Sequence, residues 1–282
     1  MNDSSYEISK TEYAVRKTWE AAIGLQKVDG LTPSKYLYEL ADENINGKLT
    51  FNEVEQLLYD RYREVSNLQE QEADIVSTRI ADLLSSDAFT LSPSELVSIH
   101  RYLFKDIYSK AGVIRTENIT KKEPILNGHS VKYGDHRSIK DNLKDCFSEE
   151  ETNTEVYDSM DKAGIIADIT GFTRKIWQIH PFYEGNTRTT AVFIEKYLNS
   201  IGFVVDNTLF AEKSLYFRNA LVRANYRDYR NGIQVTGVYL MKFFENLLYE
   251  GHHELTNKEL ILFDNFPSRG KEVITEYGRN TR

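Results

Sequence analysis

The 282-residue chain has a single cysteine, Cys146, so no intrachain disulfide can form; a reducing compartment suits such a chain. Prolines number only five, and no Pro-rich, Ser-rich or low-complexity tract divides the chain. It carries no repeat at a solenoid period. No apolar run approaches a membrane span, and Met1-Asn2-Asp3-Ser4-Ser5 lacks the basic n-region and apolar core of a secretory signal. Basic residues are in deficit: the net charge is −8, which argues against a general nucleic-acid binder, because neutralising phosphates needs a basic surface. The expectation is a cytoplasmic protein with no membrane and no nucleic-acid partner. A length of 282 residues fits one large domain, or a medium domain with a small companion, and the 40% hydrophobic content supports a sizeable core.

The apolar spacing is helical almost throughout. Val15, Trp19, Ala22 and Ile23 share one helical face, so residues 9–28 read as a helix stopped by Asp29-Gly30. Thr32-Pro33 opens a second helix, to about Asn44, and Thr50 with Glu53 in the capping-box position opens a third, over 51–65. Together these make a small helical unit at 1–65. Asp42, Asn44, Asn46, Gly47 and Glu53 also satisfy the EF-hand loop pattern. The loop is single and has only two carboxylates at ligand positions, so a turn with a capping Glu is the preferred reading. A long helix runs from about Ser66, and Ser92-Pro93-Ser94-Glu95 starts another, with His100 on its apolar face as a core histidine.

Ile125-Leu126-Asn127-Gly128 and the residues to Val131 read as two apolar runs around Asn-Gly, a hairpin signal. Nearby, His129 and His136 read as solvent-facing. A short helix is predicted over 138–147, a charged solvated connection over 148–155, and one long buried helix over 156–179, which Pro181 ends. Helices over 186–200, 214–226 and 235–248 complete a main domain at 66–250, and a polar extension covers 251–282. Tyr226, Tyr229 and Tyr239 could face a nucleobase, although aromatics at helical spacing are more often core.

The chemistry concentrates between His180 and Thr190. His180 is a candidate general base and Glu184 a carboxylate that could hold a metal. Gly185-Asn186 is a turn, and Arg188 is a cation. They lie just ahead of an apolar helical pattern, and a helix N-terminus offers unpaired N–H groups and a positive dipole end to phosphate. Each residue also has a structural alternative: His180 as a helix C-cap, Glu184 as an acid near a helix start, Arg188 as a surface cation.

The order His180-Pro181-Phe182-Tyr183-Glu184-Gly185-Asn186-Thr187-Arg188 resembles the Fic family signature, His-x-Phe-x-(Asp/Glu)-Gly-Asn-Gly-Arg-x-x-Arg. Thr187 stands for its third small residue and Ala191 for its second Arg. The resemblance implies a mainly α, Fic-type helical domain with a β-hairpin flap. That flap, Ile125, Leu126, Asn127 and Gly128, would hold a target segment as an added strand. The resemblance further implies a protein adenylyltransferase that moves AMP from ATP to a Ser, Thr or Tyr hydroxyl of a target protein or of itself. His180 would be the base, Phe182 an anchor of the loop, and Gly185, Asn186, Thr187 and Arg188 the nucleotide-binding residues. Glu184 would hold Mg²⁺. Transfer of UMP, GMP or a phosphate-containing group is an alternative, as is a weak or inactive Fic-fold binding protein, and self-association stays open. Residues 1–65 resemble the antitoxin module that accompanies many Fic proteins in toxin–antitoxin pairs. Its inhibitory motif, (Ser/Thr)-x-x-x-Glu-(Gly/Asn), would fall on Leu25 and Asp29-Gly30. Both Asp29 and the expected partner position, Ala191, are altered, so 9–65 read as a packed cover. Ser268 to Glu272 matches the same spacing only superficially, since Val273 breaks the motif.

Overall fold

The computed structural model describes residues 3–205 and 207–262, with side chains from residue 12. The spacing match at 268–272 and the predicted extension beyond residue 262 lie outside the described residues. Ten α-helices form among the described residues: α1 (Asp3–Gly24), α2 (Lys35–Ile45), α3 (Phe51–Glu64), α4 (Leu68–Leu84), α5 (Pro93–Phe104), α6 (Ile139–Thr154), α7 (Lys162–Ile179), α8 (Asn186–Ser200), α9 (Thr208–Asn225) and α10 (Val238–Tyr249).

Helix starts follow from side-chain oxygens that satisfy orphan N–H groups. Ser34, Thr50, Asn67, Ser92 and Asp161 cap α2, α3, α4, α5 and α7. Thr50 and Glu53 form the full capping box. Glu53 is therefore spent on α3, and buried Asn44 accepts from the Trp19 indole N–H at 2.8 Å and donates to Leu49 O at 2.8 Å. Two oxygens that a calcium loop would need are thus structural.

A continuous core links the N-terminal unit to the rest. Trp19, Ala22 and Leu25 of the first segment are buried with Ile75 and Ile80 of α4, Phe193 of α8 and Phe217 of α9. Close approach is needed where α1 meets α9: a Cβ on Gly24 would lie 2.4 Å from the Ala211 backbone. α8 is the central element, buried from Asn186 through Leu198.

The hairpin expected at 125–131 does not form. Pro124–Leu126 is a 3-10 turn, and among the described residues the one isolated β-bridge is Asp228–Ile233, elsewhere. Asn127 and Gly128 do take positive φ, 53° and 83°, as Asn-Gly turns require. However, Pro124 has no N–H to give a ladder, and Ile125 and Leu126 turn into the core. The Ile125 carbonyl accepts from Leu262 N at 2.7 Å, so its outer edge is already paired.

The acidic run at 148–155 is mostly exposed, as expected, but it is helix and not a connection, because α6 continues through it to Thr154. Buried Glu150 accepts from Tyr157 and Tyr197 hydroxyls, and burial pushes its pKa up to about 7. The predicted helix at 156–179 is interrupted: a 3-10 turn at Tyr157–Ser159 precedes the Asp161 cap of α7.

Candidate active site

α7 ends where His180 takes φ 51° and ψ 62°, a left-handed conformation rare outside glycine. Two features fix it there. Pro181 bars the helix from continuing, and Arg115 grips the helix end. The Arg115 side chain is 1% exposed and donates to His180 O at 2.7 Å, Ile179 O at 3.2 Å and Gly134 O, while its own N–H meets Pro181 O at 2.9 Å. Arg115 therefore positions the imidazole through the backbone. Sequence reasoning gave it no role, because it lies in a stretch without helical periodicity.

The His180 ring is buried, with Tyr133 4.0 Å away between centroids and Trp177 edge-on at 5.4 Å. Nδ1 lies 3.1 Å from Trp177 O, an acceptor, so Nδ1 carries the hydrogen. Nε2 is then a bare lone pair, and it has no hydrogen-bond partner. Burial, and next the positive charge of Lys121, hold the imidazole pKa well below its usual range. His180 is thus neutral near pH 7, with its acceptor nitrogen unused.

The loop after it is built by its own side chains. Asn186 accepts from Phe182 N at 3.0 Å and donates to Phe182 O at 2.8 Å, so its amide closes the turn. Phe182 is buried and stacks on His100 at 3.7 Å. Gly112 N donates to His100 Nδ1 at 2.8 Å, which leaves Nε2–H to donate to Glu184 O at 3.0 Å. Burial pushes the His100 pKa down to about 4, consistent with this neutral tautomer. His100 is the satisfied core histidine expected, and its second partner is the motif loop itself.

Gly185 has φ 71° and would place a Cβ 2.4 Å from the Phe104 ring. Gly185→Ala combines left-handed strain with overpacking, and should lower unfolding stability by about 2–4 kcal/mol. Urea unfolding measures this, and a loss below about 0.5 kcal/mol would show that the loop adapts.

α8 begins without a side-chain cap. Thr187, the departure from the small residue of the signature, has a local reason: its hydroxyl accepts from the buried Trp177 indole N–H at 3.0 Å. Glu184 is half exposed and pairs with Lys121 Nζ at 2.7 Å. A single carboxylate beside phosphate oxygens is how Mg²⁺ is commonly held next to nucleotides. No group of three or more His, Cys, Asp or Glu forms a cage among the described residues. The site fits a metal that arrives with phosphates, not a protein-only cage.

Arg188 is not a surface cation. It is 0% exposed and sits in a polar cluster. Its Nε is 2.7 Å from Asp29, close but out of line for a hydrogen bond. Its amino groups donate to Gln26 at 3.0 Å, Glu72 at 2.7 Å and Tyr108 at 2.8 Å. Asp29 of the degenerate motif thus meets Arg188, not position 191. Ala191 is buried in the core, and so is Leu25, while Gly30 has φ 70° after the 3-10 turn. Among the tyrosines, Tyr226 is buried and meets His129 Nδ1 at 2.9 Å, Tyr239 donates to Glu259 O at 3.0 Å, and Tyr229 is exposed.

A helical domain that presents a motif loop between two buried helices, with a neutral histidine at its start, has the Fic fold. Residues 90–198 match the family model described as Fic/DOC family, and this span includes the whole motif. That family generally transfers nucleotide or phosphate-containing groups to proteins. Among solved structures, the type IV secretion system effector protein BepA is 19% identical at TM-score 0.50, covering 66% of this chain and 64% of that one. The N-terminal FIC domain of Bep8 from Bartonella sp. 1-1C is 18% identical at TM-score 0.49, covering 66% and 88%. The N-terminal Fic domain of a Bartonella effector protein from Bartonella sp. AR 15-3 is 15% identical at TM-score 0.45, covering 84% and 89%. No curated protein matches the chain. No described helix is long and apolar enough to cross a membrane.

Proposed function

We propose that this chain is a protein adenylyltransferase, using ATP to place AMP on a Ser, Thr or Tyr hydroxyl of a target protein or of itself. The observation that carries this reading is His180. Its Nδ1 faces a carbonyl, its Nε2 lone pair is unpartnered, and an uncapped helix N-terminus follows six residues later. In the reaction the target hydroxyl oxygen bonds to the α-phosphorus and gives its proton to His180 Nε2. The bond from the α-phosphorus to the bridging oxygen breaks, and pyrophosphate leaves. The loop at Gly185, Asn186 and Thr187 supplies backbone N–H groups and the helix dipole to the phosphates. Glu184 is the residue that would hold Mg²⁺, whose contribution is to neutralise phosphate charge. A cytoplasmic setting accompanies this reading.

A second reading is transfer of another nucleotide, or binding without turnover. Two features favour it: Ala191 has no charge to offer a γ-phosphate, and Arg188 is fully engaged elsewhere. The test is incubation of the protein, alone and with a lysate, with each of the four α-labelled nucleoside triphosphates and Mg²⁺. Label from ATP that His180→Ala abolishes is the expected result. Label from another triphosphate alone supports the second reading. Label that survives His180→Ala overturns the role of the imidazole.

A further inference from the structure

Phosphate chemistry at this loop needs a cation, and neither Arg expected from the signature can supply one. Both terminal nitrogens of Arg188 are hydrogen-bonded, to Gln26, Glu72 and Tyr108, and its Nε lies 2.7 Å from the Asp29 carboxylate. The same group lies over the Phe104 ring, 4.8 Å from its centroid. Ala191 carries no charge. Among the other cations near the loop, Arg115 is spent on backbone carbonyls and Arg218 is paired with buried Glu123 at 2.8 Å. Lys110 sits 3.8 Å above the Tyr183 ring.

Lys121 differs from these. Its ammonium reaches Glu184 Oε2 at 2.7 Å, its side chain is 28% exposed, and its charge is the foremost one acting on His180. It therefore lies within electrostatic reach of the base and in contact with the motif carboxylate. It is held by a half-exposed partner that it can leave at small cost. An ammonium with three rotatable donors is suited to meet phosphate as a point charge.

We propose that Lys121 is the cation that contacts the nucleotide phosphates in this site, in the place the family signature gives to its arginines. This rests on the reading of the site as a nucleoside triphosphate site. Lys121 exchanges its bond to Glu184 for a phosphate oxygen when the nucleotide enters, which frees the carboxylate.

Binding of ATP, CTP, GTP and UTP to the full chain by calorimetry tests this without turnover. Lys121→Met should weaken binding of the preferred triphosphate at least about tenfold, while Lys121→Arg retains most of it. Glu184→Gln, measured without divalent ions, should bind as tightly as the wild type or tighter, because Lys121 is then released. If the wild type binds and Lys121→Met binds equally well, the assignment of Lys121 is overturned and the nucleotide site stands. If Lys121→Met loses binding but Lys121→Met with Glu184→Gln regains it in full, Lys121 only neutralises Glu184 and the assignment is again overturned. If the wild type binds none of the four, both the assignment and the nucleotide-site reading fall.

Discussion

Arg188→Ala is expected to lower the free energy of unfolding by about 3–5 kcal/mol, the cost of breaking a buried, hydrogen-bonded charge cluster. The guanidinium is 0% exposed and ties three segments together: Gln26 and Asp29 after α1, Glu72 on α4, and Tyr108 after α5. Burial works against its charge, but Tyr108, Asp29 and Glu72 more than offset this and keep the group protonated. Truncation leaves buried Gln26 and the Tyr108 hydroxyl without their partner and opens a void against Phe104. Asp29→Asn should cost at most about 1 kcal/mol, because the Asp29 side chain is 38% exposed and water screens its pair. Urea unfolding at pH 7 separates the two. An Arg188→Ala loss below about 1 kcal/mol would mean that the cluster relaxes around the gap. The result bears on function as well. Lost activity in an Arg188 variant reports loss of fold as readily as loss of a phosphate contact, so folded fraction must be measured with it. The segment before α2 packs into the rest of the chain. It supplies Gln26 and Asp29 to this cluster and Trp19 and Leu25 to the core.

Most of the helices were legible because their signals are local. Ser92-Pro93-Ser94-Glu95 and Thr50 with Glu53 satisfy helix-start N–H groups within one turn, and the structure starts α5 and α3 there. The motif order marked the Fic-like loop after α7, and there the structure leaves His180 Nε2 without a hydrogen-bond partner. Long-range choices were not legible. Asn127-Gly128 forms its turn, but the burial of Ile125 and Leu126 against distant residues decides that no strand follows. The acid run at 148–155 is solvated at Glu149, Glu151 and Glu155, and only the Tyr157 and Tyr197 hydroxyls single out Glu150 as buried. Arg188 belongs to the signature by sequence and to a structural cluster by contact, and only the partners, as far as 162 residues away, distinguish these. The departure at Thr187 was visible, but its acceptor role for Trp177 requires two helices to be placed first.

Glu195→Gln is expected to raise stability in a strongly pH-dependent way, by roughly 4 kcal/mol at pH 8.5 and by little at pH 4.5. Glu195 is 0% exposed in the middle of α8, and neither carboxylate oxygen has a hydrogen-bond partner. It shares a helical face with Ala191 and Arg188, at spacings of four and seven residues. Ala191 offers no cation, and Arg188 is committed to other partners. Lys196, the next residue, donates to Leu83 O at 2.7 Å and to Ser86 O. Burial therefore pushes the Glu195 pKa up to about 8, with Lys196 opposing only in part. Below the unfolded pKa, near 4.5, both states hold the proton and the full stability is present. As pH rises the unfolded chain releases the proton while the folded chain keeps it, so stability falls until the folded carboxyl ionises near pH 8. Glu150, raised to about 7, acts in the same direction, and His100, lowered to about 4, acts in the opposite one between that value and its ordinary pKa. Comparing Glu195→Gln with wild type cancels both, because they are common to the two proteins. Glu195→Met removes the unsatisfied oxygens as well and should be the more stable variant even at pH 5. Urea unfolding at pH 5 and pH 8.5 reads the difference. An equal gap between wild type and Glu195→Gln at the two pH values would show that the buried carboxyl does not titrate with folding.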